Sequence, residues 1–423
     1  MIDDFRPLPR RDKSLQENTN TLKVEEPPTE TQLSATTAPE QVTIPAPIFE
    51  PLNALLETTP RQSFKAKLVG LLALRWPPTK KEYIAGVLII LLIASGVGTM
   101  LIFNKPPKPV AATPVVAKVV KPKPVVPTTV ASNLSGLQVD PAINAKPVIG
   151  VMIENSEYAR PQSGLSQASV VYEAIAEGGI TRFLTLFQDT NPGDIGPIRS
   201  VRPYYLQWAL GFDASLAHVG GSPEALQDIK DWGAKDLDQF YNSGSYHRIS
   251  ARDAPHNVYT AVDTLTQLAV SKGFTSSAFT PWTRKPEAAA KLVTAKNIDL
   301  TLSGPLYNVH YAYDAASNSY QRSMAGAPHL DANGSVQISP KVVIGLVMPY
   351  AIQADGKHSE YGTTGSGAAY IFQDGTVTIG QWNKADQKAS MNFTDAAGKP
   401  LPLNAGQTWL TAVTDAVKIS SAP

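Results

Sequence analysis

The sequence predicts an α+β protein in which a mixed α/β first domain is followed by a mainly β second domain, the pair preceded by a disordered tail and one transmembrane helix. Three observations predict it. An uncharged apolar run, IAGVLIILLIASGVGTMLIF (Ile84–Phe103), stands between Pro-rich segments. Beyond it, strand-like and helix-like periods are mixed up to about residue 278. From about residue 281 short alternating runs are punctuated by Asn-Gly and Asp-Gly turn signals.

Composition sets the outer limits. With 423 residues, 43% hydrophobic and 17% charged, the chain can bury a sizeable core. A formal net charge of +1 argues against a protein that coats nucleic acid. The sequence contains no cysteine, which excludes disulfides, thiolate metal sites, a cysteine nucleophile and a cysteine-linked lipid.

Residues 1–61 are polar and Pro-rich, with runs such as VEEPPTETQLSATTAPEQ, and are expected to form a disordered cytoplasmic tail. In residues 62–83, Phe64, Leu68, Leu71, Leu72 and Arg75 recur near helical spacing, with Lys65 and Lys67 at the edge. That pattern fits a basic amphipathic helix at the membrane surface, or an ordinary helical lead-in to the next segment. Residues 84–103 supply the length a hydrocarbon core of ~30 Å needs at ~1.5 Å per residue, and Tyr83 and Phe103 sit where interfacial aromatics belong. The run lies too deep in the chain for a cleaved signal peptide.

Positive charge hardly orients this span. Arg75, Lys80 and Lys81 precede it, and Lys105, Lys108, Lys118 and Lys121 follow. The stalk at 104–139 is more telling. Its opening run of about thirty residues, NKPPKPVAATPVVAKVVKPKPVVPTTVASN, favours extended polyproline II, which at ~3.1 Å per residue could hold a domain up to ~90 Å from a bilayer. A stiff spacer suits a cell envelope, so the reading is a single-pass cell-membrane protein with its N-terminus cytoplasmic and both domains extracytoplasmic.

Within the first domain, 140–278, PVIGVMIEN (Pro147–Asn155) reads as a buried strand. ASVVYEAIAEGG and ITRFLTLFQD read as strands joined at Gly178-Gly179. SVRPYYLQWALGF, SPEALQDIKDW and YTAVDTLTQLAVSKG read as helices, and ASLAHVGG as a short strand. In the second domain, 281–418, Asp374-Gly375 between AAYIFQ and TVTIGQW marks a hairpin.

Four patterns could carry chemistry. In LAHVGGSPEAL a strand ends at His218, Gly220 and Gly221 follow, and Ser222-Pro223-Glu224 reads as N-cap, first helical residue and first-turn acid. Such a turn can bind an anion on its backbone N–H groups, or it is simply a well-capped turn with a satisfied histidine. In IGPIRSVRPYY, Arg199 and Arg202 lie three apart, with Arg182 nearby in sequence. Three guanidiniums could grip a carboxylate or phosphate, or could pair with Glu173, Glu177 or Asp189. Glu173 and Glu177 on a strand would share a face ~13 Å apart at ~3.3 Å per residue, beyond the ~5–9.5 Å of a two-carboxylate glycosidase. In ISARDAPHNVYT, His256 and Asn257 precede a helix and could line the same crevice as His218. The six histidines are scattered without a metal-binding spacing, His329 and Asp331 more readily mark a turn, and no cofactor motif is present.

At these residues the chain resembles the YerB-like lipoprotein family, bacterial envelope proteins with two adjoining domains of unknown function. The resemblance runs from about Pro147 to Thr414. It rests on RPQSGLSQASVVYEAIAEGGITRFLTLFQD, IGPIRSVRP, HVGGSPEAL, APHNVYT, YDAASNSYQRSMAGAPHLD, GSGAAYIFQDGTVTIGQW and NAGQTWLTAV. It implies an envelope-exposed, two-domain protein and supplies no activity. The chain departs from it in having no cysteine to acylate, with Ile84–Phe103 in place of that anchor.

The favoured reading is a binding module. Arg182, Arg199, Arg202, His218, Gly220, Gly221, Ser222, His256 and Asn257 would line a crevice for an anionic cell-wall glycan or peptide. The alternatives are a scaffold docking onto another membrane protein, and a cell-wall hydrolase or transferase using Glu173 or Glu177 with His218 or His256.

Overall fold

A computed structural model describes residues 128–423 together with residues 80, 84, 86–88, 90–92, 94 and 95. The tail, most of the amphipathic segment and apolar run, and most of the stalk lie outside the described residues. Those described between 80 and 95 are helical, and Ile84, Val87, Leu88, Ile90, Leu91 and Leu92 among them are exposed. No helix among the described residues is long and apolar enough to cross a membrane.

From 128 onward the protein is mixed, with few helices and much sheet. Its main strands are β1 (Ile149–Glu154), β2 (Val170–Glu177), β3 (Ile180–Phe187), β4 (Ser215–Ala217), β5 (Lys235–Asp236), β6 (Asn297–Leu300), β7 (Val309–Asp314) and β8 (Ser319–Met324). They continue as β9 (Ala327–Pro328), β10 (Val342–Val347), β11 (Gly365–Gln373), β12 (Thr376–Lys384), β13 (Asn392–Thr394), β14 (Thr408–Val413) and β15 (Ile419–Ala422). Three α-helices accompany them: α1 (Pro203–Leu210), α2 (Pro223–Asp231) and α3 (Val262–Ser271).

The expected helices and hairpins form for the expected local reasons. Pro203 and Pro223 open α1 and α2, and the Ser222 hydroxyl accepts from the Ala225 N–H. Gly178-Gly179 and Asp374-Gly375 both take positive φ at two consecutive positions, the backbone of a two-residue hairpin whose twist matches its strands. β1, β10 and β14 are buried along nearly their whole length, as strands covered on both faces must be.

The two halves of the chain share one sheet. Ten strands run in the order β13-β12-β11-β10-β14-β2-β3-β1-β4-β5. The late strand β14 sits between the halves, parallel to β10 on one side and to β2 on the other, with Thr411 opposite Glu173. One face carries Tyr172, Leu184 and Leu186 beneath Tyr204, Tyr205 and Trp208 of α1 and Ala225 and Ile229 of α2. The other carries Phe183, Phe187 and Trp409 beneath Val262, Leu265 and Ala269 of α3 and beneath a five-stranded sheet, β9-β8-β7-β6-β15. That second sheet presents Ile298, Leu300, Val309, Tyr311 and Tyr320 inward.

Candidate functional site

Glu173 and Glu177 do not share a face. The β2–β3 register shifts between Ile175 and Glu177. This bulge lets two residues oppose one and re-aims the last side chain of the strand. Glu177 therefore meets Arg182 at 2.7 Å and Arg202 at 2.8 Å. Glu173 instead points into the face that holds Phe183 and Trp409, where its carboxylate is fully buried against Arg322 of β8 at 2.9 Å.

That buried pair is the seam between the halves. Arg322 also donates to the Tyr311 hydroxyl at 2.7 Å and to His329 Nδ1 at 2.9 Å, and its guanidinium lies 4.3 Å from the Trp409 ring centroid. Trp409 Nε1 and the Thr181 hydroxyl donate to Glu173. Because His329 Nδ1 accepts from arginine, its proton sits on Nε2, facing the Gln162 carbonyl oxygen at 3.0 Å. Burial first, and then the Arg322 and Arg160 charges, hold His329 well below its ordinary pKa, so it is neutral. Taken up in this way, Glu173 is a buried partner of Arg322.

The remaining charged residues gather around the segment 199–202 at one end of the ten-stranded sheet. Glu154 ends β1 opposite Arg182 of β3. Arg182 reaches past the Ser200 carbonyl, donating to it at 2.6 Å, to its partner Glu177. Arg199 turns the other way, with Nε 3.0 Å from Glu154 Oε2. His256 Nδ1 lies 2.8 Å from Glu154 Oε1, which also accepts from the Ser156 hydroxyl at 2.7 Å. His256 packs 5.4 Å from the ring of Tyr158, which is itself exposed.

The sequence-predicted residues thus divide. Arg182 and Arg202 share Glu177, while Arg199 and His256 share Glu154. His218 is fully buried, with Nδ1 2.9 Å from the Gly220 carbonyl and Nε2 3.1 Å from Asp236, so it fastens the turn. Burial would raise the Asp236 carboxyl, and the hydrogen bond and charge of His218, with the Asp238 backbone N–H and Lys272, together outweigh it and leave Asp236 below the usual range. The turn spends its own donors: Gly220 N–H goes to Asp238, Ser222 N–H to the Val201 carbonyl, and Ala225 N–H to Ser222. Gly221 lies against Val201, where an added Cβ would come within 2.8 Å. Asn257 is buried, accepting from Arg248 and donating to the Arg252 carbonyl, and so shapes its own loop.

Arg199 is the cation of this group with hydrogen-bonding capacity to spare. Its side chain is 25% exposed. It stands close enough to Glu154 for an ion pair, yet Nε is not aligned for a hydrogen bond. The Nε groups of Arg182 and Arg202 are likewise buried without an acceptor among the described residues. Burial would raise the Glu177 carboxyl, but Arg182 and Arg202 outweigh it and hold the group below the ordinary carboxylate range. A carboxyl depressed on folding contributes stability that is present above its unfolded pKa of ~4.3 and is lost as pH falls through the folded value. Glu177→Gln should therefore lower stability at pH 7 and flatten its loss below about pH 4, read from urea midpoints across pH.

Sequence reading missed Glu154 as the shared anchor, Arg322 as the partner of Glu173, and the pair Asp236 and Asp238 behind His218. One signal was available. A carboxylate inside VVYEAIA demands a buried counter-charge, and Arg322 lies between the apolar positions Tyr320 and Met324 of YQRSM.

Fold and site together define a two-part α+β module, sealed by an internal ion pair, with an arginine cluster at one end of its shared sheet. Two family models match it, the protein of unknown function (DUF3048) N-terminal domain over residues 134–275 and the DUF3048 C-terminal domain over residues 298–410. The chain belongs to this family. It is 31% identical over 287 residues to "Putative lipoprotein YerB" of Bacillus subtilis (strain 168), covering 67% of this chain and 86% of that one. The crystal structure of YerB protein from Bacillus subtilis superposes with a TM-score of 0.64 at 28% identity, covering 70% of this chain and all of the other.

Proposed function

We propose that the protein is anchored in the cell membrane by Ile84–Phe103, with residues 128–423 outside the cytoplasm, and that the Arg199 end of the ten-stranded sheet binds an anionic component of the cell envelope. The name of the relative, "Putative lipoprotein YerB", supports a membrane-attached protein. The exposed leucines and isoleucines of residues 84–92 support attachment through a helix here. Protease added to intact, wall-stripped cells should release the folded region; full protection would invert the topology.

The binding reading rests on Arg199, a part-exposed guanidinium that makes no side-chain hydrogen bond among the described residues and is ion-paired to Glu154, beside the Ser200 carbonyl that Arg182 holds. Such a fork matches the two oxygens of a carboxylate or phosphate. The neighbouring Tyr158 ring offers a stacking surface for the uncharged part of a glycan or peptide. An Arg199→Gln, Arg202→Gln variant that keeps its fold should lose sedimentation with isolated wall material, and unchanged sedimentation would refute the proposal.

A further inference from the structure

A second site lies where the two halves meet. Arg160 and Pro161 from the first half and Met324, Ala327, Pro328 and Leu330 from the second line a pocket of about 320 Å³, with His329 among its walls. That volume falls within the ~300–1,000 Å³ of small-molecule sites, which favour domain junctions and combine apolar walls with a few fixed polar groups.

Arg160 is the fixed polar group. Nε donates to Asn155 Oδ1 at 3.1 Å, and Nη2 donates to the carbonyls of Asn155 at 3.1 Å and Leu306 at 2.9 Å. The guanidinium stacks 5.1 Å from the Tyr307 ring centroid. These contacts hold it in one orientation, with Nη1 left over among the described residues. Arg182, Arg199, Arg202 and Arg322 each lie against a carboxylate. Arg160 has only neutral acceptors among the described residues. Burial lowers its pKa, opposed at longer range by Tyr307, Glu173 and Glu157, and a guanidinium keeps its proton at neutral pH. Neutral His329 adds no opposing or competing charge to the wall.

We propose that this pocket binds a small organic carboxylate carrying an apolar tail, with the carboxylate on Arg160 Nη1 and the tail along Met324, Ala327, Pro328 and Leu330. A guanidinium with no ion-pair partner among the described residues, beside an apolar wall, selects that chemistry over a neutral or cationic amphiphile. Calorimetric titration of the purified full chain with octanoate tests it, with octanol and octylammonium as controls. Octanoate should bind at least tenfold more tightly than either control. Ala327→Phe, which fills the pocket and leaves Arg160 in place, should abolish binding. Arg160→Gln should bring octanoate down to the affinity of octanol. Failure of octanoate to bind, equal binding of octanol, or unchanged binding by Ala327→Phe would overturn the site. None of these results bears on wall binding through Arg199.

Discussion

Arg322→Met should destabilise the folded region by about 3–5 kcal/mol, the usual cost of stripping one partner from a buried ion pair. Glu173 would remain at zero exposure with its countercharge gone, and His329 Nδ1 and the Tyr311 hydroxyl would lose a donor. Against a typical total of about 5–15 kcal/mol, a loss of that size leaves little margin. The effect should fall on both halves at once, because Glu173 belongs to β2 and Arg322 to β8. Combining it with Glu173→Met should recover much of the loss, since no bare charge is then buried. Recovery should stop short of wild type, because Trp409 Nε1 and Thr181 Oγ1 keep no acceptor at that point. Urea midpoints of the two single variants and the double variant give the coupling. A double variant no more stable than Arg322→Met alone would show that the pair is not what joins the halves.

The second large effect is on binding. Arg199→Gln should weaken association with wall material about ten- to hundred-fold, the equivalent of one charge-assisted hydrogen bond of about 1.5–3 kcal/mol. Folding should survive at a smaller cost than for Arg322→Met, because Glu154 loses its pairing at Oε2 but keeps His256 and Ser156 on Oε1. Stability and affinity therefore separate at this position, and an affinity loss that tracked a loss of stability would count against a binding role. Because Arg199 is part-exposed, raising salt should erode wild-type binding and narrow its advantage over the variant.

Much of the local architecture was legible in the sequence. The Gly178-Gly179 and Asp374-Gly375 hairpins, the proline-opened helices and the Ser222 cap all depend on residues within one turn of each other. What was not legible depends on distance. No periodicity reveals that β14 lies between β2 and β10, because parallel pairing across more than two hundred residues leaves no local trace. The bulge that separates Glu173 from Glu177 was hidden for a related reason. A period-2 pattern puts both on one face, and only the partner strand shows the slip.

Arginines among apolar neighbours signalled buried ion pairs, which form on two carboxylates: Arg182 and Arg202 on Glu177, Arg199 on Glu154. The glycine turn looked like an anion cradle because its glycines and helix start are local features. Asp238 and the Val201 carbonyl, which take its donors, come from elsewhere in the fold.

The most direct test compares the purified full chain on two preparations of the same wall material, one untreated and one with its carboxylates amidated and its phosphates removed. Strong sedimentation with the first and little with the second, the difference shrinking in Arg199→Gln, is the result expected of an anion-binding envelope protein. Equal sedimentation with both preparations would mean that negative charge on the wall is not what this arginine cluster recognises.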